Sequence, residues 1–356
     1  MRAVSLVLFL SLLVPSAFAG RGNPDVSFDG QSVDQLIAAF VRVYDVPGIS
    51  LAIVQAPYIT RATGFGLADP QRKTLVSANT MFNIAQMRNA FTAVAAMQLV
   101  EEGKLELAAV LPLIRQSRSA DLESLIANAS GRSYEQYIRE RQFERLGLRH
   151  TSFASELAGR SREPIDPTEP AAGGVPAAHA IYSSASDISI WDIALAGDLL
   201  IRDPALRKLL YEPPADAPSS GPWFFPGHPG LMIATGDGEG FSSLLARFTH
   251  RDELICVTLL ANKQGLDLTQ LARKIAGAFD RRTGPPAQAA GRSAQQSPFS
   301  LTESTKRLER ALRARGIEGK AVAWEEEGAV WIAVEGDADA DAALLEAIGA
   351  IAPQGQ

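Results

Sequence analysis

Met87–Glu102, MRNAFTAVAAMQLVEE, reads as an apolar central helix stopped by Gly103, with Leu105 and Leu107 following. A helix this apolar is stable only when other elements enclose it, so the rest of the chain must supply layers around it. The surrounding patterns provide them. Val33–Tyr44 carries Leu36, Ile37, Phe40, Val41 and Tyr44 at helical spacing, and Val46-Pro47-Gly48 ends that helix. Ile49–Gln55 predicts a buried strand, with Ile59–Leu67, carrying Gly64 and Gly66, as its hairpin partner. Gly240–Thr249 and Glu253–Ala261 predict a second hairpin through His250-Arg251-Asp252, and Asp267–Phe279 a closing helix. The expected fold is α+β: an antiparallel sheet flanked by helices.

The opening MRAVSLVLFLSLLVPSAFAG has Arg2, an apolar run from Ala3 to Val14, and Ala17-Phe18-Ala19 before Gly20. That pattern predicts a removable secretory signal over residues 1–19, and hence a periplasmic or secreted bacterial protein. No later stretch reaches about 18 uninterrupted apolar residues, so no transmembrane segment is expected after its removal. Cys256 is the single cysteine and excludes an intramolecular disulfide; its apolar surroundings, Leu254–Leu260, predict a buried, inert thiol. A net charge of −6 without a basic cluster argues against nucleic acid as a partner. His150, His179, His228 and His250 are scattered singly, without metal-ligand spacing. Gly64-Phe65-Gly66 and Gly236-Asp237-Gly238-Glu239-Gly240 read as turns and not as phosphate loops. No cofactor or metal is expected.

Around the central helix, Phe82, Ile84, Phe91, Thr92, Ala93, Gln98, Leu99, Glu101, Glu102, Gly103, Lys104 and Leu105 form a frame. It resembles the nucleophile segment of serine β-lactamase-like proteins: class C β-lactamases, low-molecular-weight penicillin-binding proteins and related esterases. That segment reads roughly F-x-I-G-S-x-S-K-x-F-T-A, with a nucleophilic Ser one turn before a Lys. Here Gln86 stands at the Ser position and Asn89 at the Lys position. A Gln amide is a poor nucleophile and Asn cannot titrate, so acyl transfer loses both its attacking group and its base. The chain has seven Lys residues, none of them three residues after a Ser, so no S-x-x-K exists in another register.

The resemblance extends further. "VPGISLAIV" followed by a G-x-G-x-A-D line looks like the opening of the fold. Leu122–Ile126 and Ser130-Gly131-Arg132-Ser133-Tyr134 follow Glu106-Leu107 so soon that several tens of residues of the family's helical region look absent, giving a truncation near 108–121. No Y-x-N or S-D-N occurs, and with them would go the Tyr that assists proton transfer. Tyr134–Phe143, Leu146-Gly147-Leu148 and Thr151-Ser152-Phe153 restore the likeness, as do Gly173-Gly174 and Tyr182–Ile188 with Trp191. Ser184 with Asp187 three later reads as a helix start, with Ile188, Trp191 and Leu195 as its buried stripe. The family's K-T-G or H-x-G falls on Ala234-Thr235-Gly236, which has lost the cation, while Asp237 and Glu239 add negative charge that Arg88 could partly offset. His228-Pro229-Gly230 is a displaced H-x-G or, more simply, a surface turn. Backbone N–H groups at Gln86 and near Asp237 could still form an oxyanion hole.

Thr283–Pro298 is Pro-, Gly-, Gln- and Ser-rich and reads as a linker, 283–298, between a β-lactamase-related domain over 28–282 and a small domain over 299–352. In the latter, Ser300 and Glu303 open an amphipathic helix ending at Gly316, before a hairpin of Lys320–Glu325 with Ala329–Glu335 and a helix over Asp337–Ile351: an α-β-β-α unit. Trp324 and Trp331 read as core packing or a binding face, and Glu325-Glu326-Glu327 as a solvated turn. Taken together, the expectation is a non-catalytic, exported, β-lactamase-related protein that binds a cell-wall or protein partner. Arg88, Thr235, Gly236, Asp237, Ser242 and Ser243 are its candidate pocket residues. The alternative is a serine hydrolase (β-lactamase, D-Ala-D-Ala carboxypeptidase or esterase type) using a non-standard nucleophile such as Ser242 or Ser243.

Overall fold

The computed structural model describes residues 26–69, 73–157, 179–212, 214, 218–226, 231–250, 253–286, 294–326, 329–335 and 340–350. The expected signal, Gly173-Gly174 and His228-Pro229-Gly230 lie outside the described residues.

β1 (Ser27–Phe28) and β2 (Gln31–Ser32) form a short ribbon, and Ser32 caps α1 (Val33–Tyr44) through a reciprocal capping box with Gln35. β3 (Gly48–Gln55), buried from Gly48 to Val54, pairs with β4 (Tyr58–Asp69), and β5 (Thr74–Leu75) flanks β4. β6 (Phe82–Asn83) enters a 3₁₀ turn over Ala85–Met87 and then α2 (Arg88–Glu101). Every residue of α2 from Ala90 to Leu99 is buried, as its composition requires. The stretch near 108–121 read as truncated covers most of helix α3 (Leu107–Arg115) and the start of α4 (Ser119–Ser130). α5 (Tyr134–Ile138) continues as a π-turn over Arg139–Glu144, followed by β7 (Thr151–Phe153), α6 (Ala154–Leu157) and β8 (Ile181–Ser183).

α7 (Ala185–Ala196) starts where expected, the Ser184 hydroxyl accepting the Asp187 N–H at 3.1 Å. α8 (Pro204–Tyr211), β9 (Leu231–Gly238), β10 (Phe241–His250), β11 (Glu253–Ala261) and α9 (Thr269–Phe279) complete the larger unit. Its main sheet is six-stranded, in the order β5-β4-β3-β11-β10-β9. One face packs into the cluster holding α2 and α7, with Phe91, Val94, Trp191 and Leu245; the other packs Leu36 and Ile37 of α1 against Ile275 of α9. The sheet is therefore a middle layer with helices on both sides, and β9 is the strand at one of its edges.

A charged pair is built into the first face. Arg247 of β10 pairs with the fully buried Asp192 of α7 and lies 4.5 Å from the Tyr211 ring centroid. The Cys256 thiol donates to the same carboxylate, and burial pushes that thiol well up, in line with an inert cysteine.

The linker expectation is corrected. Ala294–Ser297 is a buried strand, β12, and not a spacer. With α10 (Leu301–Arg315), β13 (Lys320–Glu326), β14 (Ala329–Glu335) and α11 (Asp341–Ala347) it makes a β-α-β-β-α module, sheet order β12-β14-β13, where α-β-β-α was expected. Trp324 and Trp331 are direct cross-strand partners. Trp331 is 5% exposed and lies under the Arg273 guanidinium of α9, so it packs between the module and the larger unit.

Candidate functional site

The turn Ala85–Met87 and the end of strand β9 lie side by side, where the resemblance places the nucleophile and the K-T-G strand. Gly236 makes that approach possible. A Cβ there would sit 2.1 Å from the Ile84 carbonyl oxygen and 2.9 Å from the Gln86 nitrogen, so a side chain at 236 would force strand and turn apart. Ala85, at the Gly of the family frame, has φ +46°, a left-handed conformation that costs a non-glycine residue about 1 kcal/mol. Asn83 holds it there: its Oδ1 accepts the Ala85 N–H at 2.9 Å while its amide donates to Glu239.

Gln86 is exposed, and its Oε1 accepts the Asp237 N–H at 2.7 Å. The side chain thus occupies the backbone donor that an oxyanion hole would offer to a substrate carbonyl. The open hole expected from the backbone alone is therefore corrected: one of its two donors is already engaged. Asn89 accepts from the Ser119 hydroxyl at 2.7 Å, so a neutral amide–hydroxyl pair stands where the amine would be. Ala234 is 1% exposed and belongs to the apolar cluster around α2, with no cation at its position.

Several expected pocket residues are otherwise committed. Arg88 donates to Glu123 of α4 at 2.7 Å, so its charge is neutralised within the fold and does not offset Asp237. The Asp237 carboxylate Oδ1 accepts from the Gly265 N–H of the loop after β11 at 2.6 Å and from the Ser242 hydroxyl of β10 at 2.7 Å. The negative charge expected at the turn is thus bound up in a structural contact. Ser243 donates to the Ile84 carbonyl at 2.9 Å. Ser242 and Ser243 are 2% and 3% exposed, and neither hydroxyl is hydrogen-bonded to a histidine or lysine that could deprotonate it. Thr235 lines a cavity with Ile233 and Leu266, which Gly236 and Ser243 also border.

Spacing alone did not reveal the groups around Arg88. Glu123 also approaches His179, 3.9 Å away, and His179 Nδ1 lies 2.9 Å from Glu135 of α5. Tyr134 packs edge-on to the His179 ring, its hydroxyl 2.7 Å from Thr92 Oγ1. Burial, only partly countered by that Thr92 bond, pushes the Tyr134 hydroxyl far above its ordinary value, so it cannot serve as a base near neutral pH. These residues come from four separate segments, which is why no local pattern announced them. No group of three or more His, Cys, Asp or Glu side chains able to hold a metal occurs among the described residues.

Several comparisons agree with this architecture. The octameric penicillin-binding protein homologue from Pyrococcus abyssi superposes with a TM-score of 0.58 at 17% identity, covering 86% of this chain and 88% of that one. FmtA from Staphylococcus aureus gives 0.55 at 16% identity over 73% and 92%. The D-alanine carboxypeptidase AmpC from Burkholderia cenocepacia gives 0.55 at 18% over 69% and 97%. At these identities the likeness establishes the fold alone. Protein flp of Staphylococcus aureus (strain N315) is 32% identical over 77 residues, which is 22% of this chain and 16% of that relative's length. The family described as Beta-lactamase matches residues 33–121 and 117–279, and the chain belongs to that family.

Proposed function

We propose that this chain is a non-hydrolytic member of the Beta-lactamase family, exported to the periplasm or beyond, that acts by binding a cell-wall or protein partner. The observation that carries this reading is the Gln86 side chain seated on the Asp237 N–H. A residue that cannot attack a carbonyl sits where the attack would occur and fills half of the place where the resulting oxyanion would rest. The Asn89–Ser119 pair and the buried Ala234 support it, since neither supplies a base or a cation for an anionic substrate.

The test is labelling of the purified chain with a fluorescent β-lactam and a fluorophosphonate, beside the Gln86→Ser/Asn89→Lys double variant. No label on the natural chain, together with its retention by isolated cell wall or a defined partner protein, is the expected result. Labelling of the natural chain that a single change at Ser242 or Ser243 abolishes would overturn the proposal in favour of a serine hydrolase.

A further inference from the structure

A cavity of about 90 Å³ lies between the end of the main sheet, the start of α9 and helix α11 of the C-terminal module, and Gly236 and Ser243 of the candidate site also border it. Phe224, Ile233, Leu266 and Leu345 give it hydrocarbon walls, and Asp267 and Gln295 form a polar patch in its lining. The Asp267 carboxylate is fixed by neutral donors: Oδ1 accepts the Thr269 N–H at 2.8 Å and Oδ2 the Gln295 amide at 2.7 Å. The Thr269 hydroxyl is a third neutral donor, which still leaves part of the carboxylate's capacity of about four acceptor positions unused.

No Lys, Arg or His among the described residues pairs with Asp267. The charged group that acts on it is Asp341 of α11, which has the same sign. Asp341 takes the Tyr44 hydroxyl on Oδ2 at 3.3 Å, and its Oδ1 is buried with no partner. A carboxylate partly withdrawn from water without a counter-ion is costly, and a second carboxylate nearby adds to the cost. Two events relieve it: taking up a proton, or receiving a cation. Burial first and Asp341 second push the Asp267 carboxyl up to about 6, so at neutral pH it is mostly ionised and lacks a partner.

We propose that this cavity is a binding site for a small primary alkylamine, its ammonium donating to Asp267 and its hydrocarbon body lying against Ile233, Leu266 and Leu345. The ligand class follows from the lining. A bare metal ion would find one carboxylate and mostly hydrocarbon, and a neutral apolar molecule would leave the charge unrelieved. Against about 150 Å³ for a cavity that takes benzene, this space suits a body of about three to four non-hydrogen atoms. A longer body would have to extend out of the cavity.

The probe is n-propylamine, titrated calorimetrically into the full chain, with n-propanol and ammonium chloride at matched ionic strength as controls. Saturable propylamine binding is expected near neutral pH, weakening as pH falls through about 6 because protonated Asp267 no longer attracts the ammonium. Affinity should drop about tenfold or more in Asp267→Asn, a loss equivalent to about 1.4 kcal/mol. It should drop likewise in Leu345→Trp, which fills the cavity from the module side and leaves Asp267 in place. Absence of saturable binding, equal response to ammonium chloride or propanol, or unchanged affinity in a folded Asp267→Asn or Leu345→Trp variant would overturn the proposal.

Discussion

The turn around Gln86 and the surroundings of Asp267 treat polar groups in opposite ways. Around the turn each named polar group has a partner: Gln86 with the Asp237 N–H, Asn89 with Ser119, Arg88 with Glu123, and Asn83 with Glu239. Asp267 has hydrogen bonds but no opposite charge. Arg273, stacked on the Trp331 ring, has a long bond to Gln296 and a buried Nε without a partner among the described residues. Burial brings the Arg273 guanidinium down to about 9. The lesson is where unspent electrostatic free energy resides. A site whose groups satisfy one another has little left for a ligand, whereas an uncompensated charge in a cavity rewards any ligand that neutralises it.

If that contrast holds, deleting polar groups should have opposite signs in the two regions. The largest effect is expected at Glu123→Ala, which leaves Arg88 without its carboxylate; the side chains of the pair are only 19% and 15% exposed. A loss of about 2 kcal/mol, between the values for exposed and buried pairs, should appear in urea melts. Little or no loss would mean that the cleft network is ornamental to stability.

Asp267→Asn should go the other way. Its folded-state pKa lies above the ordinary carboxylate value, so the natural chain is favoured below that value and loses stability as pH rises toward about 6. The Asn variant lacks this decline. By about pH 7 it should be the more stable by about 1–2 kcal/mol, allowing for solvent at a partly exposed group, with the difference vanishing near pH 3. Thermal melts across that range decide the matter, and a variant less stable than the natural chain near neutral pH would contradict the uncompensated charge.

The smallest change is expected at Gln86→Ala. The Asp237 N–H regains water in this exposed position, so the loss should stay at about 0.5–1 kcal/mol. Its sharper readout is amide hydrogen exchange at Asp237, which should speed up when the Gln86 side chain is gone.

Much of the architecture was legible in local patterns. α1 runs over the expected Val33–Tyr44, and the capped starts at Ser184 and Ser300 hold as expected, because periodicity and capping are properties of a few adjacent residues. β12 was not legible. AQQS has no apolar alternation, and it is buried through polar contacts: Gln295 with Asp267, Gln296 with Arg273, and Ser297 with Ser304. Those partners lie on other elements, so composition made a structured strand resemble a spacer. The site divided in the same way. That Gln86 and Asn89 fall at the family's Ser and Lys positions was an expectation from the frame, but the partners of Arg88, Ser242 and Ser243 could not be read from it.

Residue identity decided which groups Gln86 and Asn89 can offer: a side-chain amide is a poor nucleophile and does not titrate near neutral pH, whatever surrounds it. What those amides bond to was settled by folding. Gln86 meets the Asp237 N–H across 151 residues of chain, and Asp267 meets Gln295 across 28. Local sequence specifies helices and strands through repeat distance, but hydrogen-bond partners and uncompensated charges depend on which surfaces meet. That meeting is governed by the packing of the whole sheet and its two flanking layers.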